Sequence, residues 1–67
     1  MVDIEKLKNK ITNKNKSLDE ISRALNVNKS TIHRKFKNPE KFLIKEVVAL
    51  VTLLELSSSE ACAIFFA

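Results

Sequence analysis

Ser17-Leu18-Asp19-Glu20-Ile21-Ser22-Arg23-Ala24-Leu25-Asn26-Val27-Asn28-Lys29-Ser30-Thr31-Ile32-His33-Arg34-Lys35 decides the fold, because it reads as two capped helices around a tight turn. Ser17 with Glu20 three residues later has capping-box spacing: the hydroxyl accepts from the Glu20 amide and the carboxylate accepts from the Ser17 amide. A helix therefore starts at Leu18. Leu18, Ile21 and Leu25 recur at i, i+3 and i+7 as one apolar stripe, with Asp19, Glu20 and Arg23 facing water. The helix is expected to stop at Leu25, with Asn26 turning through a left-handed conformation. Gly is usual at such a position, but the chain has none, and Asn bears a smaller steric penalty there than most residues. Asn28 is expected to cap the second helix, its side-chain oxygen accepting from amides of the first turn.

The second helix is divided by chemistry. At roughly 100° per residue, Lys29, Ser30, His33, Arg34 and Lys37 fall within an arc of about 140°, and Ile32 points to the opposite side. Val27 and Ile32 are placed to lock this helix across the first, which would present the polar arc outward. That is the geometry of a helix-turn-helix whose second helix enters the major groove of DNA.

The run Leu25-Asn26-Val27-Asn28-Lys29-Ser30-Thr31-Ile32-His33-Arg34-Lys35 resembles the "LGISRSTISRK" core of the lambda-repressor-like (Cro/CI, XRE) helix-turn-helix family. Phe42-Leu43-Ile44-Lys45-Glu46-Val47 is similar to the "FTLKEI" opening of that family's fourth helix, and the likeness continues from Leu56 to Phe66, covering about residues 4 to 66. Two positions depart from the pattern. Leu18 stands where a phosphate-holding polar residue is frequent, and Asn26 replaces the turn Gly, at a cost of about 0.5–1 kcal/mol. The resemblance implies a compact five-helix domain with helices 2 and 3 as the helix-turn-helix, acting on double-stranded operator DNA as a transcriptional regulator, a phage or mobile-element Cro-like repressor. It also implies base contacts from Lys29, Ser30 and Arg34. Arg34 is the best placed for a guanine, since its planar fork matches the O6 and N7 acceptors. Lys14, Lys16, His33, Lys35 and Lys37 are the candidates for phosphate contacts, although Lys14 and Lys16 equally suit a solvated loop.

Sixty-seven residues make one small domain, 1–67, with room for a single core. A hydrophobic content of 45%, no Gly and one Pro favour an all-α fold with short turns. The net charge of +4 hides an asymmetry. All twelve Lys and Arg lie in residues 1–45 against five acids, a surplus of +7, whereas residues 46–67 hold three acids and no base. Clustered cations are the electrostatic footprint of a nucleic-acid binder.

Elsewhere, Ile4, Leu7 and Ile11 predict a first helix over Asp3–Thr12, and Asn13–Lys16 a polar loop. Pro39 breaks the chain at 37–41, with Phe36 and Phe42 expected to plug that turn into the core. A central core helix is expected over Ile44–Leu54, on Val47, Leu50, Val51 and Leu54. Ser57 and Glu60 repeat the capping-box spacing and start a last helix at Ser58. Ala61, Ile64 and Phe65 form its core face. Cys62 and Phe66 make a second stripe, either completing the core or meeting a twin subunit or partner repressor.

The lone His33 and lone Cys62 supply neither a zinc set nor a Cys/His pair, and no acid–base constellation accompanies the serines; no metal, cofactor, small-molecule substrate or enzymatic activity is expected. No apolar stretch has the length of a membrane span, no signal peptide is evident, and one cysteine forms no internal disulfide, so a cytoplasmic setting is expected. A different class of function fits the apolar end Ile64-Phe65-Phe66: a modulator that pairs with a larger repressor through its last helix.

Overall fold

A computed structural model of the chain describes residues 1–67 and is all-helical, without a strand. The helices are α1 (Ile4–Asn13), α2 (Leu18–Leu25), α3 (Lys29–Lys37), α4 (Ile44–Leu53) and α5 (Ser58–Phe65), with one 3-10 turn at Pro39–Lys41 between α3 and α4. No helix is long and apolar enough to cross a membrane.

Helix starts follow the sequence closely. Asp3 caps α1, accepting from the Lys6 amide at 3.1 Å, so α1 begins and ends one residue later than its apolar spacing suggests. Both serine boxes form. Ser17 Oγ accepts from Glu20 N–H at 3.2 Å, and Ser57 Oγ from Glu60 N–H at 3.2 Å, with each glutamate returning to its serine amide at 2.9 Å. Asn28 corrects the expectation. It holds the N-cap position in extended backbone, but its side chain makes no cap bond, and only its carbonyl engages the first turn, accepting from Thr31 and Ile32.

Helix ends share a pattern that the sequence marks only at Asn26. Asn15, Asn26 and Glu55 all adopt left-handed backbone, with φ of 56°, 57° and 52°. After each, an amide reaches back five residues: Lys16 to Ile11, Val27 to Ser22, Leu56 to Val51, at 3.0–3.1 Å. This is the Schellman closure, which satisfies carbonyls that the helix end leaves free. In a chain without glycine, two asparagines and one glutamate bear the steric cost.

The core draws one fully enclosed aliphatic side chain from each helix: Leu7, Ile21, Ile32, Leu50 and Ile64, joined by Leu54 just past α4. Val47 and Val51 of α4 are only half-buried, and α4 ends at Leu53 instead of Leu54. The two termini lie side by side, Asp3 N–H donating to the Ile64 carbonyl at 2.6 Å and Ala67 N–H to that of Met1 at 3.0 Å. A Lys10–Glu60 ion pair ties α1 to α5 beside them.

Two polar side chains are buried: Ser22, whose hydroxyl donates to the Asp19 carbonyl at 2.9 Å, and the charged Glu46. Glu46, 3% exposed, accepts from the Leu43 amide at 2.9 Å and from Lys35 Nζ at 2.6 Å on the same oxygen. Lys35, 12% exposed, also donates to the Lys41 carbonyl at 3.1 Å and lies 5.9 Å from the centre of the Phe42 ring. Phe42 in turn meets Phe36 at 6.3 Å, so the two aromatics close the turn as expected. Removing one partner strands the other charge in a poorly hydrated site. Glu46→Ala is expected to lose about 3 kcal/mol in urea unfolding, whereas the double change Lys35→Met with Glu46→Leu loses much less.

Burial by itself would raise the Glu46 carboxyl, but the Leu43 amide and the Lys35 ammonium outweigh it and hold the group below its ordinary value. The Glu60 carboxyl is lowered to about 2 by its bond from Lys10 and those from Ser57, and Asp19 and Glu20 are lowered too. Groups of this kind bind protons less readily in the folded chain, so the stability they give is complete above about pH 4.5 and is lost as pH falls towards 2. Melting temperature is expected to stay level from neutrality down to about pH 5 and then drop, with a shallower acid limb in Glu60→Gln.

Candidate functional site: the outer face of α3

Ile32 anchors α3 to the core, with Thr31, Lys35 and Phe36 half-buried beside it, which leaves Lys29, Ser30, His33, Arg34 and Lys37 exposed. This is the arc expected from the helical period. α3 itself contains no acid, and the one carboxylate that meets the arc is Asp19 of α2.

The side chains on the arc are held differently. Lys29 Nζ pairs with Asp19 Oδ1 of α2 at 2.7 Å, and the Asp19 carboxyl is held below its usual value by that hydrogen bond and charge. Arg34 Nη2 donates to Thr31 Oγ1 at 3.1 Å, which steadies the guanidinium while leaving most of its five donors for an external acceptor. Ser30, His33 and Lys37 make no side-chain hydrogen bond or ion pair. Because Asn28 does not fold back, the amides of Lys29 and Ser30 at the positive end of α3 also lack an internal acceptor.

Two of the candidate cations lie before α2. Lys14 is exposed and unpaired, while Lys16 is half-buried and 3.9 Å from Glu20. Lys35 does not join the outer face: its ammonium is turned inward to Glu46 and the Lys41 carbonyl. The helical period contained that signal, since Lys35 sits about 100° beyond Arg34, at the edge of the packed side. Lys41 and Lys45, absent from the candidate set, are exposed without ion pairs. Lys41 shares a cleft of about 260 Å³ with Thr31, Arg34 and Asn38 and so extends the cationic face past the end of α3. No three His, Cys, Asp or Glu side chains gather to hold a metal.

Cys62 and Phe66 are both exposed, Phe66 at 75%. A further apolar surface, unmarked by sequence pattern, lies on α4, where Ile44 at 79%, Val48 and the preceding Leu43 face solvent. A helix apolar on nearly every side reads as enclosed, yet this small fold covers only one side of it. Compared with protein-family models, curated proteins and solved structures, the chain matches none.

The two adjacent phenylalanines should behave oppositely. Phe66→Asp is expected to keep its helical circular dichroism and to unfold within about 0.5 kcal/mol of the parent, as surface changes do. Phe65→Asp places a carboxylate in the core beside Ile64 and is expected to lose the helical signal.

Proposed function

We propose that the chain is a sequence-specific double-stranded DNA-binding regulator, in which α2 and α3 act as a lambda-repressor-like helix-turn-helix and α3 enters the major groove. The observation that carries this reading is the exposed, acid-free arc of α3, presented on a helix fixed by Ile32 and by the Lys35–Glu46 pair. An α-helix with its side chains is about 10–12 Å across, which suits a major groove about 12 Å wide. Arg34 reads a guanine edge, Ser30 and Lys29 act at the helix start, and His33, Lys37, Lys41 and Lys14 meet phosphates. The protein works by binding, in the cytoplasm, as a Cro-like repressor of phage or mobile-element type.

A second reading has its own support: Leu43, Ile44, Val48 and Phe66 are large apolar side chains each more than half exposed. They serve a second copy on a two-fold operator, or a larger repressor that this chain modulates.

Selection of sites from a random duplex library, followed by titrations across salt, tests the proposal. The slope of log K against log salt is expected to be about −3 to −6. Arg34→Ala is expected to lose about 1–3 kcal/mol on the selected site and little on random DNA, because a base contact discriminates and a phosphate contact does not. Lys37→Ala weakens both alike. A flat salt dependence, or no enriched sequence, refutes the reading. Asp19→Asn, which frees Lys29 and removes a charge repelling phosphate, is expected to tighten binding.

A further inference from the structure

The side of α3 turned towards α1 carries a feature that DNA binding leaves unexplained. Two clefts of about 560 and 380 Å³ share Phe36 and Lys37 and so run end to end between α1 on one bank and α3 with its 3-10 turn on the other. The floor is apolar and open to solvent: Ile4, Ile11 and Phe36 are each half-buried, with Phe36 backed by Phe42. Lys8 on one bank and His33 and Lys37 on the other line the rim, all exposed and none engaged by a carboxylate. The one acid lining either cleft is Glu40, at the far end.

We infer that this groove docks a short acidic segment of a partner protein, its apolar side chains seated on Ile4, Ile11 and Phe36 and its carboxylates meeting Lys8, His33 and Lys37. Rim charge and floor chemistry together select this occupant. A nucleic-acid backbone would neutralise the rim but leave three large apolar side chains facing water. A second copy of the chain is poorly matched, because its acids are committed: Asp3, Glu20, Glu46 and Glu60 close helix starts, and Asp19 holds Lys29. Those left, Glu5, Glu40 and Glu55, are scattered. The bank formed by α1 is about 15 Å long, enough for nearly three turns of a bound helix with apolar residues at i, i+4 and i+7. The groove shares His33 and Lys37 with the arc proposed to meet phosphates, so peptide and duplex are expected to compete for that part of the rim.

A random peptide display library of about eleven residues, the length of three helical turns, panned against the folded chain, tests it. Enriched peptides are expected to be rich in Asp and Glu with regularly spaced Leu, Ile or Phe, and to perturb the amide resonances of Ile4, Ile11, Phe36 and His33 and the methyl resonances of Ile4 and Ile11. Lys8→Glu with Lys37→Glu, both exposed and outside the core, is expected to weaken the best peptide about tenfold or more, as reversal of rim charges does, with unchanged circular dichroism. Ile4→Asn is expected to weaken it without altering the charge. The proposal is overturned if no peptide is enriched, if a scrambled peptide of the same composition binds equally, or if the perturbations map to Leu43, Ile44 and Val48. Duplex DNA shifting the floor methyls as strongly as the peptide also overturns it.

Discussion

The Glu46 carboxylate is the junction on which the arrangement of α3 depends. One oxygen receives the Leu43 amide, which starts α4, and the Lys35 ammonium, which belongs to α3. Lys35 also holds the Lys41 carbonyl and so draws in the 3-10 turn that joins the two helices. Ile32 fixes how deeply α3 sits, but an apolar contact tolerates rotation. A directed, charge-assisted hydrogen bond tolerates much less. Ile32 sets which side of α3 is packed, and this pair narrows the rotation of the helix about that contact.

The same economy governs the other acids. Asp3, Glu20, Glu46 and Glu60 each accept an amide at a helix start, where the helix dipole also favours a negative charge. Three of them additionally face a lysine: Lys16, Lys35 or Lys10. Most negative charge is therefore spent on architecture, and the surplus of cations reaches solvent. Lys6, Lys8, Lys14, Lys37, Lys41 and Lys45 are exposed without ion pairs, so the net charge of +4 is carried by free lysines at the surface. Such a surface attracts anions over a range of about 8–10 Å at ordinary salt.

A chain this small has little redundancy. Each helix supplies one enclosed aliphatic residue to the centre, and the terminal segments are tied to one another at Asp3 and Ile64. Coverage is correspondingly uneven. Leu43, Ile44 and Val48 stay exposed on α4, and Ile4, Ile11 and Phe36 are left half-open beside α1. The shortage of core volume that makes small domains marginal also leaves them with apolar surface for partners.

The sequence by itself determined the helices, because their signals are local. Capping boxes at Ser17 and Ser57, the break at Pro39 and the left-handed Asn26 each depend on residues a few positions apart, and all lie where the spacing puts them. The outward arc of α3 was legible for the same reason, since helical period alone sets Arg34 opposite Ile32. Asn15 and Glu55 escaped because nothing in their neighbours marks a left-handed residue when glycine is absent. Only the tertiary structure decided the fate of Lys35 and Asn28. Lys35 is one lysine among many until α4 brings Glu46 to it, eleven residues away, and Asn28 has capping chemistry that its side-chain conformation leaves unused. Which faces of α4 and α1 stay uncovered is likewise a property of packing: periodicity says which residues are apolar, and only the positions of the other helices say which of them are enclosed.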